Sequence, residues 1–133
     1  MNILVTGGLG FIGSHTVVEL IKNKDEVIIA DNLINSKIDV LDNLFTITGI
    51  KPTFYQIDVT DEEKVEEIFV NHKIDGVIHF AGLKAVGESV SMPLEYYYIN
   101  LVSTIVLSKM CVKYGVNKFV FSSSATVSAM SYT

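Results

Sequence analysis

The chain has 133 residues, 49% of them hydrophobic, and a formal net charge of -5. That length suits one domain with a real core, and that composition excludes a disordered chain. The acidic balance, with no basic run longer than a pair, excludes a sequence-independent grip on nucleic acid or on an anionic membrane.

Short β-branched runs alternate with helical stretches along the chain. The first predicted strand covers residues 2–6 and leads into a glycine-rich turn. A helix over 11–23 follows, with Val17, Val18 and Ile21 on one face. Strands over 26–30 and 53–57 come next. Thr60-Asp61-Glu62-Glu63 has capping-box spacing, which makes Thr60 the N-cap of a helix whose Val65, Ile68 and Phe69 form its apolar face. A strand over 76–80 precedes a long helix. Pro93 suits its first turn, and Gly115 suits its stop. Along that helix Leu94, Tyr98, Leu101, Ile105 and Val112 recur at helical spacing. A fifth strand covers 118–121. The strands are apolar on both faces, as in a parallel sheet covered by helices on either side. Right-handed crossovers then give a doubly wound, Rossmann-like α/β sheet of order 3-2-1-4-5, with a ligand crevice between strands 1 and 4 at their C-terminal ends.

Cys111 is the single cysteine, so no intrachain disulfide forms and a reducing, cytoplasmic setting is expected. The start, Met1-Asn2-Ile3-Leu4-Val5-Thr6-Gly7, does not read as a signal peptide, and apolar runs such as Val27-Ile28-Ile29-Ala30 are far too short to span a membrane.

The chemistry concentrates at the strand ends. Gly7, Gly10 and Gly13 stand between the first strand and the first helix. A turn of that kind needs a tight bend, a backbone without Cβ atoms near a pyrophosphate, and close helix–strand packing. The helix N-terminus adds N–H groups and a positive dipole end for phosphates. Asp31 closes the second strand, 18 residues after Gly13, where a carboxylate accepts the ribose hydroxyls of a dinucleotide and repels a 2′-phosphate. NAD is therefore favoured over NADP. Asp58 follows the third strand, where an adenine amine would rest, and Phe80-Ala81-Gly82 with Lys84 lies across the crevice. His15, His72 and His79 form no ligand spacing, so no metal site is expected.

These residues carry a family resemblance. Thr6-Gly7-Gly8-Leu9-Gly10-Phe11-Ile12-Gly13-Ser14-His15, Asp31-Asn32-Leu33-Ile34-Asn35-Ser36, His79-Phe80-Ala81-Gly82-Leu83-Lys84-Ala85-Val86-Gly87-Glu88-Ser89 and Phe121-Ser122-Ser123-Ser124-Ala125-Thr126-Val127 resemble the UDP-glucose 4-epimerases, a branch of the extended short-chain dehydrogenases. The glycine turn is common to that whole superfamily; the stretches 31–36 and 82–89 are more specific to the epimerases.

The resemblance implies NAD-dependent interconversion of UDP-glucose and UDP-galactose through transient oxidation at C4 of the sugar. It places Phe11 and Ile12 at the pyrophosphate, and Asp31, Asn32, Asn35 and Ser36 at the adenosine ribose. Asp58 and Val59 fall at the adenine, and Phe80, Ala81, Gly82, Lys84 and Ser122 on the nicotinamide side. Ser124 would hydrogen-bond the sugar 4-oxygen. Ile99-Asn100 stands where the family commonly has two asparagines, which leaves Asn100 as the remaining contact. No Tyr-x-x-x-Lys pair follows Ser124, and the family's Thr-Val-Tyr-Gly reads Thr126-Val127-Ser128-Ala129 here. The expectation is an incomplete NAD-binding domain over 1–127, a divergent tail over 128–133, no UDP-sugar domain, and no turnover by this chain alone. An unpaired fifth strand and an uncovered helix face would favour a homodimer or other self-association. Two alternatives share the fold: another NAD-dependent sugar-nucleotide dehydratase or reductase, and a non-catalytic NAD-binding module.

Overall fold

The computed structural model describes residues 1–33, 38–80, 93–122 and 127–131. In chain order the elements are β1 (Asn2–Thr6), α1 (Phe11–Lys22), β2 (Glu26–Asp31), α2 (Asp39–Thr48), β3 (Thr53–Gln56), α3 (Glu62–Asn71), β4 (Gly76–His79), α4 (Pro93–Lys113), β5 (Lys118–Ser122) and β6 (Val127–Ser131). Six strands form one sheet in the order β3-β2-β1-β4-β5-β6. The first five run parallel, in the order expected from the right-handed crossovers.

Alternation along the strands divides the interior into two layers. Leu4, Ile28, Ala30, Val77 and Phe119 point to one side, where Val65, Ile68 and Phe69 of α3 and Val106, Leu107, Met110 and Cys111 of α4 cover them. Ile3, Val5, Val27 and Ile29 point to the other, beneath Val17 and Ile21 of α1 and Leu41 and Leu44 of α2. The register Leu4↔Ile28 and Leu4↔Val77 keeps each layer continuous across the sheet. On the surface, Lys109 pairs with Glu62 at 2.8 Å and Lys113 with Glu66, while the Tyr114 hydroxyl donates to Glu66 at 2.8 Å. These contacts clasp α3 to α4.

Four expectations need correction. Helix α2 was not anticipated, although Leu41 and Leu44 are its buried residues and Gly49, at φ 74°, ends it. The N-cap of α3 is Asp61, not Thr60: its carboxylate accepts from Lys64 N–H at 3.3 Å. Thr60 is diverted because Asp58 takes both its N–H at 2.9 Å and its hydroxyl at 2.7 Å. The apolar stripe of α4 faces outward, with Leu94, Tyr98, Leu101, Ile105 and Val112 all more than half exposed. The buried side of that helix carries Ser103, Val106, Leu107, Met110 and Cys111 instead.

The fourth correction concerns the sheet edge. The sheet does not stop at the fifth strand, and β5 is not an unpaired edge. β6 runs antiparallel to it, from Lys118↔Ser131 to Ser122↔Val127. A strand that returns directly needs only a short connection, whereas a parallel neighbour would need a crossover of a dozen residues or more. Edge pairing through β5 is thereby removed as a route to self-association. No helix among the described residues is long and apolar enough to cross a membrane.

Candidate functional site

Strands β1, β2 and β4 end side by side, with Thr6 opposite both Ala30 and His79. Helix α1, which follows β1, covers one face of the sheet, and α4, the next described element after β4, covers the other, so a crevice is expected at this edge of the sheet. Gly7 turns the backbone away from β1 with φ 71°, a conformation that costs a side-chain-bearing residue free energy. Its N–H donates to Ala30 O at 2.8 Å, and its carbonyl accepts from Gly10 N–H at 3.1 Å. Helix α1 then starts against this turn. A Cβ on Gly13 would lie 2.2 Å from Gly7 O and 3.1 Å from Gly8 Cα, so only glycine allows the helix so close.

Gly10 occupies the N-cap position of α1 with no side-chain cap, and no acidic residue stands in the first turn. The positive end of the helix dipole is left for an anion to complete. Ile12, in that turn, is 48% exposed.

Asp31 is buried at the end of β2. Its carboxylate accepts from Leu9 N–H at 3.2 Å and from Leu33 N–H at 2.8 Å. The acid is thus oriented by the glycine turn on one side and by its own loop on the other. Asn32 beside it is exposed. Asp58 lies after β3 at the same edge of the sheet, exposed and bonded to Thr60. The Val59 side chain is packed in the core with α3 and α4. Phe80 is buried in the α1 layer, and its N–H donates to Thr6 O at 2.8 Å. Asn35, Ser36, Ala81, Gly82, Lys84 and Ser124 lie outside the described residues. Phe11 opens α1 and Ser122 closes β5.

Asn100 sits in α4 with its side-chain Oδ1 buried and without a hydrogen-bond partner. A buried acceptor left unpaired costs free energy until a donor arrives. Beneath it lies a polar group that sequence reasoning passed over. His79, wholly buried, meets the Thr6 hydroxyl at 2.6 Å through Nδ1 and the Ser103 hydroxyl at 3.1 Å through Nε2. Burial holds its pKa down to about 4, so the ring is neutral at physiological pH. The available signal was a histidine inside an otherwise apolar strand, which requires partners. Gly8 was also passed over: a Cβ there would come within 2.9 Å of the Ile29 side chain.

Two other features can be set aside. Burial pushes the Cys111 thiol up to about 11, as befits a packing residue. Tyr114 and Lys118 have Tyr-x-x-x-Lys spacing, but Gly115 breaks the helix between them at φ 71°. They lie at the opposite end of the sheet from the crevice, with the Tyr114 hydroxyl engaged by Glu66.

The sequence model of the NAD dependent epimerase/dehydratase family matches residues 3–131. Among curated proteins the chain is 55% identical over 127 residues to a UDP-glucose 4-epimerase of Bacillus subtilis, covering 96% of this chain and 38% of that protein. It is 58% identical over 126 residues to one from Neisseria meningitidis serogroup C, covering 95% and 37%. Among solved structures, the UDP-glucose 4-epimerase of Bifidobacterium longum in complex with NAD+ and UDP superimposes with a TM-score of 0.89 at 51% identity. That match covers 94% of this chain and 37% of the other. The chain thus spans less than two fifths of the length of these relatives. With nearly its whole length matched, it belongs to the NAD dependent epimerase/dehydratase family.

Proposed function

We propose that this chain holds NAD and forms the cofactor half of a UDP-glucose 4-epimerase. One observation carries the reading: Gly13 packs α1 onto Gly7 at a distance no Cβ permits, and so aims an uncapped helix N-terminus at the crevice beside Asp31. The N–H groups of that first turn, around Gly10, Phe11 and Ile12, receive the pyrophosphate. Asp31 and Asn32, with Asn35 and Ser36, take the adenosine ribose, and Asp58 and Val59 border the adenine. Phe80, Ala81, Gly82, Lys84, Asn100 and Ser122 border the nicotinamide half. NAD, when bound, supplies the acceptor and donor of hydride for C4 of UDP-glucose or UDP-galactose. Ser124 orients the sugar 4-oxygen, and this chain's own contribution is binding and orientation. The NAD-binding unit is taken as residues 1–127, with 128–133 as a tail whose residues up to Ser131 complete β6, and the setting as cytoplasmic.

The outward apolar stripe of α4 is the face proposed for self-association. The relatives support an epimerase over a dehydratase or reductase, being named UDP-glucose 4-epimerases. A calorimetric titration with NAD, using NADP as control, tests the reading. Saturable binding of NAD with much weaker binding of NADP is expected; equal binding of both would remove the role given to Asp31.

A further inference from the structure

The polar groups behind the crevice form one directed chain of hydrogen bonds. The Ser103 hydroxyl donates to Asn100 O at 3.2 Å, which matches the tautomer in which its oxygen accepts from His79 Nε2–H at 3.1 Å. A neutral ring protonated at Nε2 leaves Nδ1 as an acceptor, and the Thr6 hydroxyl donates to it at 2.6 Å. Thr6 Oγ1 in turn accepts from Phe80 N–H at 3.1 Å. The chain therefore begins at the backbone where β4 ends and finishes at the backbone of Asn100. His79 and Ser103 are both buried, at 0% and 1% exposure.

Asn100 lies one helical turn from Ser103, about 4.5 Å along the axis, toward the end of the sheet where the crevice opens. Its Oδ1 is the one buried side-chain oxygen or nitrogen among the described residues that has no partner. A desolvated acceptor held on a rigid support is ready for a donor that arrives from outside.

We propose that His79 is a positioning residue, which acts through Ser103 to hold Asn100 Oδ1 as a ready-made acceptor for an N–H or O–H donor of the bound dinucleotide. The inference rests on the NAD reading above and adds to it a residue that does not touch the cofactor. Loss of the Ser103 hydroxyl leaves His79 Nε2–H without an acceptor in a dry core. The third turn of α4 then loses its tie to β4, and Asn100 its fixed place.

The test is a double-mutant cycle read by NAD affinity. Ser103→Ala and Asn100→Ala are each expected to weaken binding about tenfold, the effect of one lost hydrogen bond with its partner left unpaired. Ser103→Thr, which keeps the hydroxyl, should remain within about twofold of the parent. The double variant Ser103→Ala/Asn100→Ala should be no weaker than Asn100→Ala alone, because Ser103 acts through Asn100. Additive losses, or full affinity in Ser103→Ala, would overturn the proposal while leaving NAD binding intact. A folded parent chain that binds no NAD would instead remove the underlying reading, and this role with it. Should Ser103→Ala not fold, long-range 1H–15N spectra of the parent decide. An Nε2–H tautomer at His79, with an Asn100 amide signal that shifts on NAD addition, supports the proposal; an Nδ1–H tautomer or an unmoved amide contradicts it.

Discussion

Acidification should destabilise this domain through His79 before its carboxylates are neutralised. In an unfolded chain the imidazole has its ordinary value of 6.5, whereas burial in the folded state lowers it to about 4. The folded pKa is depressed, so between these values the unfolded chain binds a proton that the folded chain refuses. Stability is therefore full above pH 6.5, falls as pH drops from there to about 4, and loses nothing more from this group below that. The slope inside the window is about 1.4 kcal/mol per pH unit. From pH 7 to pH 5 the loss comes to about 2 kcal/mol, a visible fraction of the ~5–15 kcal/mol that holds a typical domain together. Asp25 is held below its ordinary value by Asn23 and the N-terminal ammonium, and Glu66 by Lys113 and Tyr114. Their contributions are present above the ordinary carboxylate values and are lost only as pH falls further, below this interval. Urea unfolding at pH 7, 6 and 5 measures the effect, and the His79 ring signal followed by NMR assigns it. A stability that stays flat from pH 7 to pH 5, or a ring that titrates near 6.5, would refute the reasoning.

Two further outcomes follow from the geometry. Gly13→Ala places a methyl group roughly an ångström inside contact with the Gly7 carbonyl. It should cost about 1–3 kcal/mol in urea unfolding and weaken NAD binding at least about tenfold; normal affinity would show that the turn is not the phosphate site. Leu101→Glu with Ile105→Glu interrupts the exposed stripe of α4. If the parent chain self-associates, this pair should return it to a monomer by light scattering, and an unchanged mass would place the contact elsewhere.

The parallel core was legible because each strand is a short β-branched run bounded by turn residues. All five of those strands lie within one residue of their expected bounds at either end. Helix α2 was not legible: Leu41 and Leu44 sit in a ten-residue helix with a polar, unremarkable start, and Gly49 alone is a weak stop. The Thr60 cap failed on a local competition, since Asp58 two residues earlier captures the same hydroxyl. β6 was missed because Val127–Ser131 intersperses serines among Val127, Ala129 and Met130 with no β-branched run, and only pairing with β5 makes it a strand. At the site, the glycine spacing and Asp31 were readable from local sequence, because each serves a turn or a strand end. The role of Asp31 toward Leu9 N–H, and the link from Thr6 through His79 to Ser103, join residues between 22 and 73 positions apart. Such contacts exist only once the sheet order brings their elements together.

The most direct test of the account is to map NAD onto the folded chain by amide chemical shifts. The account predicts that the largest changes fall on Gly7, Gly10, Gly13, Leu9, Asp31 and Phe80, at the C-terminal edge of the sheet. A well-dispersed spectrum that does not move on NAD addition would contradict it. So would changes confined to the cleft at the opposite edge, where Lys24, Lys51 and His72 lie.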